Sequence, residues 1–214
     1  MRFRILAGLS LAAALAAPSI SSAQLVATTT TLEQFTNFGD PLSVGYIFNV
    51  TSPFTVTHLA FWDQGGNGLV SAHHVSIWSP TGQLLVDGTV DAGTVDPLVS
   101  NHRLVQVSPF TLAVGDGYRV AGRTGETEVW AYSGVLANTP GITWTAAAWC
   151  IGANLQDVGD TTNPDCGQTN QQTGYFGGNF AGVVATPEPA SMTLVATGLL
   201  GMFGVARRRR NKTA

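Results

Sequence analysis

One short run in this 214-residue sequence carries oxygen donors at the spacing of a cation site. Residues 63–68 place Asp63 and Asn67 at the first and fifth positions of a calcium-type loop and a glycine at the sixth. The run departs from that pattern because Gly65 replaces a ligand and His74 stands where a glutamate is expected. The alternative is a glycine-rich hairpin loop, so Asp63 and Asn67 are calcium candidates on spacing alone.

A second acidic group lies further along the chain, at Asp157, Asp160 and Asp165. Three carboxylates within nine residues repel one another unless solvent or a cation screens them. Solvent is the default, so we expect no cofactor, and calcium is the alternative.

Recurring catalytic motifs are missing from the sequence, including G-x-S-x-G, H-E-x-x-H, the Walker loop and C-x-x-C. Glu126 and Glu128 would share one face of a strand, but Gly125 beside them favours a turn with a solvated edge. His73 and His74 are adjacent, so on a strand they would point to opposite faces and could not share a metal. We therefore predict no catalytic residue and no enzymatic activity.

The charges are divided between the ends and the middle of the chain. Residues 24–186 contain three basic residues (Arg103, Arg119 and Arg123), twelve acidic ones and no lysine, which gives a formal charge of −9. Binding to nucleic acid requires several basic contacts with phosphates. This composition excludes a nucleic acid as the partner of the middle segment.

The first 23 residues have the composition of an export signal. Two arginines precede an uncharged run over residues 5–17, the length of a signal peptide's apolar region and too short to span a bilayer. Small side chains follow at Ser21 and Ala23, the positions that signal peptidase accepts. We predict that signal peptidase cleaves between Ala23 and Gln24, with an uncleaved anchor as the alternative.

The last 28 residues, 187–214, read as a membrane segment with a basic end. Pro187, Glu188 and Pro189 are followed by 17 uncharged residues and then by Arg207, Arg208, Arg209 and Arg210. A helix over residues 190–206 reaches roughly 26 Å, a little short of the roughly 30 Å hydrocarbon core, so it spans only with thinning or snorkelling arginines. The arginines place the tail's end in the cytoplasm, which leaves residues 24–186 outside.

This tail resembles the PEP-CTERM sorting signal of exported bacterial proteins, in which a Pro-Glu-Pro tripeptide, a short apolar span and a basic stop occur together. The resemblance implies that an exosortase, a membrane transpeptidase-like cysteine enzyme, removes the tail near the tripeptide. It also implies a Gram-negative cell that makes exopolysaccharide or biofilm matrix. A plain single-span anchor is the alternative, and neither assigns an activity to the domain.

Cys150 and Cys166 are the two cysteines of the sequence. An exported protein normally pairs them, so we predict a disulfide with Cα atoms roughly 5 to 6 Å apart. Closing this loop would stabilise the fold by about 3 kcal/mol on the entropic account. The bridge would hold a long loop without a strand pattern, followed by exposed polar residues such as Gln168.

Long loops on rigid scaffolds often bind ligands. Trp144, Trp149 and Tyr175 flank this loop and are candidate platforms for stacking on sugars. Burial in the core is the more common fate of a tryptophan.

The elements that carry these residues read as strands. In residues 42–50 every second side chain from Leu42 to Val50 is apolar, and Ser43, Gly45, Ile47 and Asn49 form the other face. Residues 54–62 are rich in β-branched and aromatic side chains. Residues 74–78 and 84–86 form a hairpin around a turn at 79–82, with proline second and glycine fourth. Further strands are predicted at 103–107, 118–122, 129–133 and 143–149. We predict an all-β fold, a single antiparallel β-sandwich of jelly-roll type over residues 24–186.

The same block resembles an uncharacterised β-sandwich region common in PEP-CTERM proteins, which implies a fold and a cellular setting but no chemistry. The similar stretches are residues 61–69, 74–78 with 82–85, 109–112 with Gly115, and 175–180.

Three classes of function follow, in order of preference. The first is a cell-surface or extracellular-matrix protein with a structural or adhesive role in exopolysaccharide or biofilm. The second is a module that binds extracellular glycans, and the third is a secreted hydrolase. The expected partners are signal peptidase, exosortase and an extracellular polysaccharide, together with the membrane until the tail is removed.

Overall fold

The computed structural model describes residues 24–25, 35–36, 42–124, 130–131, 139–152, 155–160, 162–169 and 177–184. The predicted signal peptide with Ala23 and the sorting segment with Pro187, Glu188, Pro189 and Arg207 to Arg210 lie outside these ranges. So do Glu126, Glu128 and Tyr175, so the proposals about those residues stay predictions.

Strands dominate the described ranges, and the one helical element there is a 3-10 turn at Gln64–Gly66. The strands are β1 (Gln24–Leu25), β2 (Phe35–Thr36), β3 (Leu42–Val50), β4 (Phe54–Trp62), β5 (His73–Trp78), β6 (Leu84–Val90), β7 (Leu98–Val99), β8 (His102–Leu112), β9 (Gly115–Arg123), β10 (Trp130–Ala131), β11 (Ile142–Ile151), β12 (Cys166–Thr169) and β13 (Gly178–Val184).

Two antiparallel sheets are the main layers of the fold. One has the strand order β1-β13-β4-β8-β7 and the other β12-β11-β3-β9-β5-β6, while β2 and β10 pair separately. This confirms the predicted all-β class and the two-sheet architecture. The jelly-roll assignment stays a prediction.

The core between the sheets follows the period-2 pattern of β3. Tyr46 and Phe48 are almost fully buried, and Phe180 of β13 faces them from the other sheet, with its ring centroid 5.0 Å from that of Phe48. Aromatic pairs at such separations add to the hydrophobic gain from burial. The alternation that predicted this strand therefore marks its core face.

Glycine sets the distance between the sheets at one point. A Cβ atom on Gly122 of β9 would lie 2.9 Å from the Cα of Gly178 in β13, which is closer than real Cβ contacts. The two backbones therefore touch across the sandwich, and any side chain at Gly122 would push the sheets apart.

The predicted hairpin between β5 and β6 is confirmed. The amide of Gly82 donates to the Ser79 carbonyl at 3.0 Å, and Gly82 has a φ of +82°. A glycine takes this left-handed conformation without the steric cost that a side chain would bring. Pro80, the second residue of the turn, presets the φ that the position requires.

β8 extends beyond its predicted end at residue 107. Its pairing with β4 shifts between Val56↔Phe110 and His58↔Gln106, so residues 107–109 form a bulge. Pro109 has no backbone N–H to donate, and bulges and edges are where sheets accept proline. The neighbouring strand β7 pairs with β8 at His102 and Arg103, so β8 has an open edge beyond these residues. Pro109 lies on that edge and hinders its pairing with another chain.

Candidate functional site

The loop after β4 is organised by an ion pair rather than by a free carboxylate. Asp63 is 2% exposed, and its Oδ2 accepts a hydrogen bond from Arg103 Nε at 2.7 Å. The amide of Gly68 donates to the same oxygen at 3.0 Å. Asp63, the first ligand of the calcium hypothesis, is therefore already paired with the Arg103 guanidinium.

Arg103 joins this loop to the loop before β7. Its Nη2 donates to the Gly66 carbonyl at 2.9 Å and its Nη1 to the Asp96 carbonyl at 3.0 Å. Leu69 and Gly93 also exchange two backbone hydrogen bonds between the two loops. Sequence reasoning missed this role of Arg103, because its carboxylate partner lies 40 residues earlier.

We call the surface formed by loops 63–72 and 91–101 the distal loops. They expose large aliphatic side chains, although the ion pair beneath them is buried. The exposed fractions are 71% for Val70, 79% for Val95, 42% for Leu98 and 44% for Val99. The distal loops thus combine four exposed aliphatic side chains with two acidic residues, Asp91 and Asp96.

Below these loops a chain of polar side chains crosses the core. The Tyr46 hydroxyl donates to Asn179 Oδ1 at 2.7 Å, and Asn179 Nδ2 lies 3.3 Å from His102 Nε2. His102 Nδ1 lies 3.0 Å from the Ser100 carbonyl. Since a carbonyl accepts only, Nδ1 carries the hydrogen and Nε2 accepts from the amide.

Burial lowers the pKa of His102 to about 4, although its hydrogen bond to the Ser100 carbonyl acts in the opposite direction. Burial also raises the pKa of Tyr46 well above its ordinary value. At neutral pH both side chains are therefore uncharged, and this chain connects the two sheets without burying a charge.

The two adjacent histidines of β5 point to opposite faces of the sheet. His73 is 1% exposed and stacks on Phe61 with ring centroids 3.8 Å apart. His74 is exposed, and its Nε2 lies 2.7 Å from Asp87 Oδ1. Ser76 donates to that same oxygen at 2.7 Å. Because the serine hydroxyl bonds the carboxylate and not the imidazole, this cluster differs from a Ser-His-Asp triad, in which the histidine contacts the serine.

Cys150 and Cys166 form the expected disulfide, and neither is left as a free thiol. The expected Cα separation of 5 to 6 Å is wrong, because the atoms are 4.0 Å apart. The two residues face each other in the β11–β12 ladder, and the amide of Ile151 bonds the Asp165 carbonyl. That pattern makes them a non-hydrogen-bonded pair, the more closely spaced kind in an antiparallel ladder.

The loop closed by this disulfide packs on the sheet instead of extending from it. Leu155 is 8% exposed and Val158 is fully buried. Both belong to a small core with Ala121 and Ala148 on the outer face of the six-stranded sheet. The sequence analysis did not anticipate this packing. Gln168 lies in strand β12, and its side chain is exposed as predicted.

Two of the three carboxylates of that loop, those of Asp157 and Asp160, accept hydrogen bonds from neighbouring donors. Thr162 donates to Asp160 Oδ1 through its hydroxyl at 2.7 Å and its amide at 2.8 Å. These bonds hold the pKa of the Asp160 carboxyl below its usual value. Asn163 Nδ2 donates to Asp157 Oδ2 at 3.1 Å, and its Oδ1 accepts from the Asp165 amide. In the described ranges no three His, Cys, Asp or Glu side chains gather where they could hold a metal.

The two candidate sugar platforms that the structure describes, Trp144 and Trp149, are half-buried. Trp144 packs against the main core, and the Trp149 ring lies over Gly167 of β12, where a Cβ atom would come within 2.8 Å of it. Trp62 and Trp78 are 2% and 5% exposed. Among the side chains that the structure describes, no row of exposed aromatics lines a sheet face.

The strand that leads to the C-terminal segment is anchored on both sides. β13 lies between β1 and β4, with Gln24 paired to Gly182 and Val184 paired to Phe54. Leu25 is 3% exposed, and its carbonyl accepts a hydrogen bond from Thr139 Oγ1 at 3.1 Å. Residue 185 therefore follows a firmly held strand.

The comparisons with known proteins concern this C-terminal segment. Residues 185–210 match the family described as the PEP-CTERM protein-sorting motif. No curated protein matches the chain. Within the described ranges no helix is long and apolar enough to cross a membrane, and residues 190–206 lie outside those ranges. The chain thus carries a PEP-CTERM sorting motif directly after β13, the last strand that the structure describes, and this motif identifies it as an exported exosortase substrate.

Proposed function

We propose that the chain is a cell-surface or extracellular-matrix protein with a structural or adhesive role in exopolysaccharide or biofilm. The observation that carries the proposal is the sorting motif at residues 185–210, which follows β13 without an intervening domain. Signal peptidase would release the N-terminal segment and exosortase the C-terminal one. A rigid sandwich would then remain outside the cytoplasmic membrane.

Two features of the domain support a structural role. The ion pair between Asp63 and Arg103 and the disulfide between Cys150 and Cys166 fix its longest described loops. The domain also presents the aliphatic distal loops, and exposed apolar patches favour contact with other macromolecules.

Glycan binding is the second candidate. The half-buried Trp144 and Trp149 are its best described platforms, but each already packs against the protein. A hydrolase is the third, and it would need two carboxyl groups facing a substrate. Asp63, Asp87 and Asp160 instead accept short hydrogen bonds from the protein itself.

The test is a genetic one in the native cell. A strain with Pro187→Ala and Pro189→Ala should lose the protein from its matrix fraction and form less attached biomass than the parent. Thr213→Ala, in the same tail beyond the arginines, is the matched control and should behave like the parent. Unchanged biomass in a strain that lacks the protein altogether would refute the structural role.

A further inference from the structure

Gln24, which follows the predicted signal cleavage site, and Val184, which precedes the sorting motif, lie at the same end of the domain. Gln24 pairs with Gly182, and the pairing is antiparallel. The N-terminal end of β1 and the C-terminal end of β13 therefore lie side by side, at one end of the five-stranded sheet.

We call this end of the sandwich the tether end. Val184 pairs with Phe54 and Phe54 with Leu112 in one sheet, while Val50 pairs with Gly115 and Ile142 in the other. These registers bring the turns at 51–53, 113–114 and 139–141 to the tether end. The turn at 79–83 joins them, since a Cβ atom on Gly117 would lie 3.8 Å from Pro80 Cβ.

The connection from the tether end to the apolar run is short. Five residues, 185–189, separate Val184 from the uncharged run over 190–206. A fully extended chain spans at most about 3.5 Å per residue, so the link reaches about 20 Å at most. While the tail is anchored, the tether end cannot move far from the lipid headgroups.

The charge of the tether end also fits a position close to the lipid headgroups. Its four turns contain no charged residue, and Asp116, the second residue of β9, is the nearest carboxylate in sequence, in a domain with a formal charge of −9. Asp91 and Asp96 lie at the opposite end, with the distal loops. Membrane surfaces that contain anionic lipids repel carboxylates. The tether end can therefore approach such a surface at a lower electrostatic cost than the end with Asp91 and Asp96. An exposed Val114 (62%) and exposed prolines at 53, 80 and 140 form the tips of the tether end.

We propose that the tether end is the membrane-facing surface of the domain, in contact with lipid headgroups until the tail is removed, and that the distal loops point away from the bilayer. The inference rests on anchoring by the C-terminal segment, which is part of the proposed function. It adds an orientation and a contact surface that the sorting motif does not specify.

Residues 24–186 lack lysine, so one introduced lysine is a unique amine probe there. We would place the full chain in phosphatidylcholine nanodiscs and label it with a membrane-impermeant N-hydroxysuccinimide ester. Val114→Lys and Thr81→Lys report on the tether end, and Val95→Lys, at a 79% exposed site of the distal loops, is the matched control. Mass spectrometry of the peptides gives the rate at each lysine.

Labelling at positions 114 and 81 should be at least about fivefold slower than at position 95. A flexible spacer of about twenty residues inserted after residue 185 should remove the difference. Equal rates with the natural link, or a slow rate that persists with the spacer, would overturn the proposal. Co-flotation of the chain with the nanodiscs is measured before labelling. A chain that does not float with the discs is not anchored, so failed anchoring is distinguished from a wrong orientation.

Discussion

Asn179 Nδ2 lies 3.3 Å from His102 Nε2 inside the core, so this ring nitrogen can accept the amide's hydrogen bond only while the imidazole is neutral. Asn179 Oδ1 already accepts from Tyr46 and from the Phe180 amide, so the side chain cannot turn its oxygen towards the imidazole without losing both bonds. A proton on His102 Nε2 would face an N–H donor. Burial and this arrangement act together against the charged form.

The domain should therefore lose stability as the pH falls from 6.5 towards 4. The pKa of His102 is about 4 in the folded state against 6.5 for the free side chain, so the unfolded chain binds the proton more tightly in this window. The free energy of unfolding should fall by about 2 to 3 kcal/mol between pH 7.5 and 4.5. Urea unfolding at both values measures it. His102→Gln should flatten the slope and His58→Gln should keep it; an equal slope in all three proteins would contradict the assignment.

Replacing Arg103 by methionine should destabilise the domain by about 3 to 5 kcal/mol, because Asp63 would remain buried without its cation. Arg119→Met is the matched control. Arg119 is half-buried with a 3.4 Å bond to the Val158 carbonyl, so its loss should cost less than about 1 kcal/mol. Denaturant unfolding of both variants gives the comparison. Similar losses would mean that the ion pair does not organise the distal loops.

Thiol labelling of the unfolded, unreduced chain should find no free cysteine, since Cys150 and Cys166 are bonded. The double variant Cys150→Ser, Cys166→Ser should lose about 3 kcal/mol, because its unfolded chain is less restricted. Thermal unfolding measures the loss.

Val158→Ala tests the packed loop separately and should also destabilise the domain, by about 1 to 3 kcal/mol. A wild-type melting temperature in Val158→Ala would show that the loop does not pack as described.

Intact-mass analysis of protein from its native cell should give a mature chain that starts at Gln24 and ends close to Pro187. Small residues precede Gln24, and the matched sorting motif covers the C-terminal end of that interval. A species that retains Arg207 to Arg210 in exosortase-positive cells would refute the C-terminal half of this prediction. Cells without exosortase should retain the arginines and provide the control.

The sequence alone determined the strands with a strong local pattern and the sorting tail. β3 and β4 have the bounds that alternation and β-branched residues predicted, because one buried face imposes a two-residue period on the side chains. The sorting tail could be recognised from the sequence just as directly. Its tripeptide, uncharged run and arginine cluster are contiguous, so recognising them does not depend on contacts with other parts of the fold.

Only the tertiary structure decided what the polar and loop residues do. Arg103 lies 40 residues from Asp63, and Asn179 lies 133 residues from Tyr46, so neither bond leaves a periodic trace in the sequence. The loop before Cys166 looked solvated because its aspartates dominate its composition, yet Leu155 and Val158 find an apolar sheet face to cover. Such burial depends on surfaces supplied by distant strands, and the sequence cannot specify those contacts until the strands are placed.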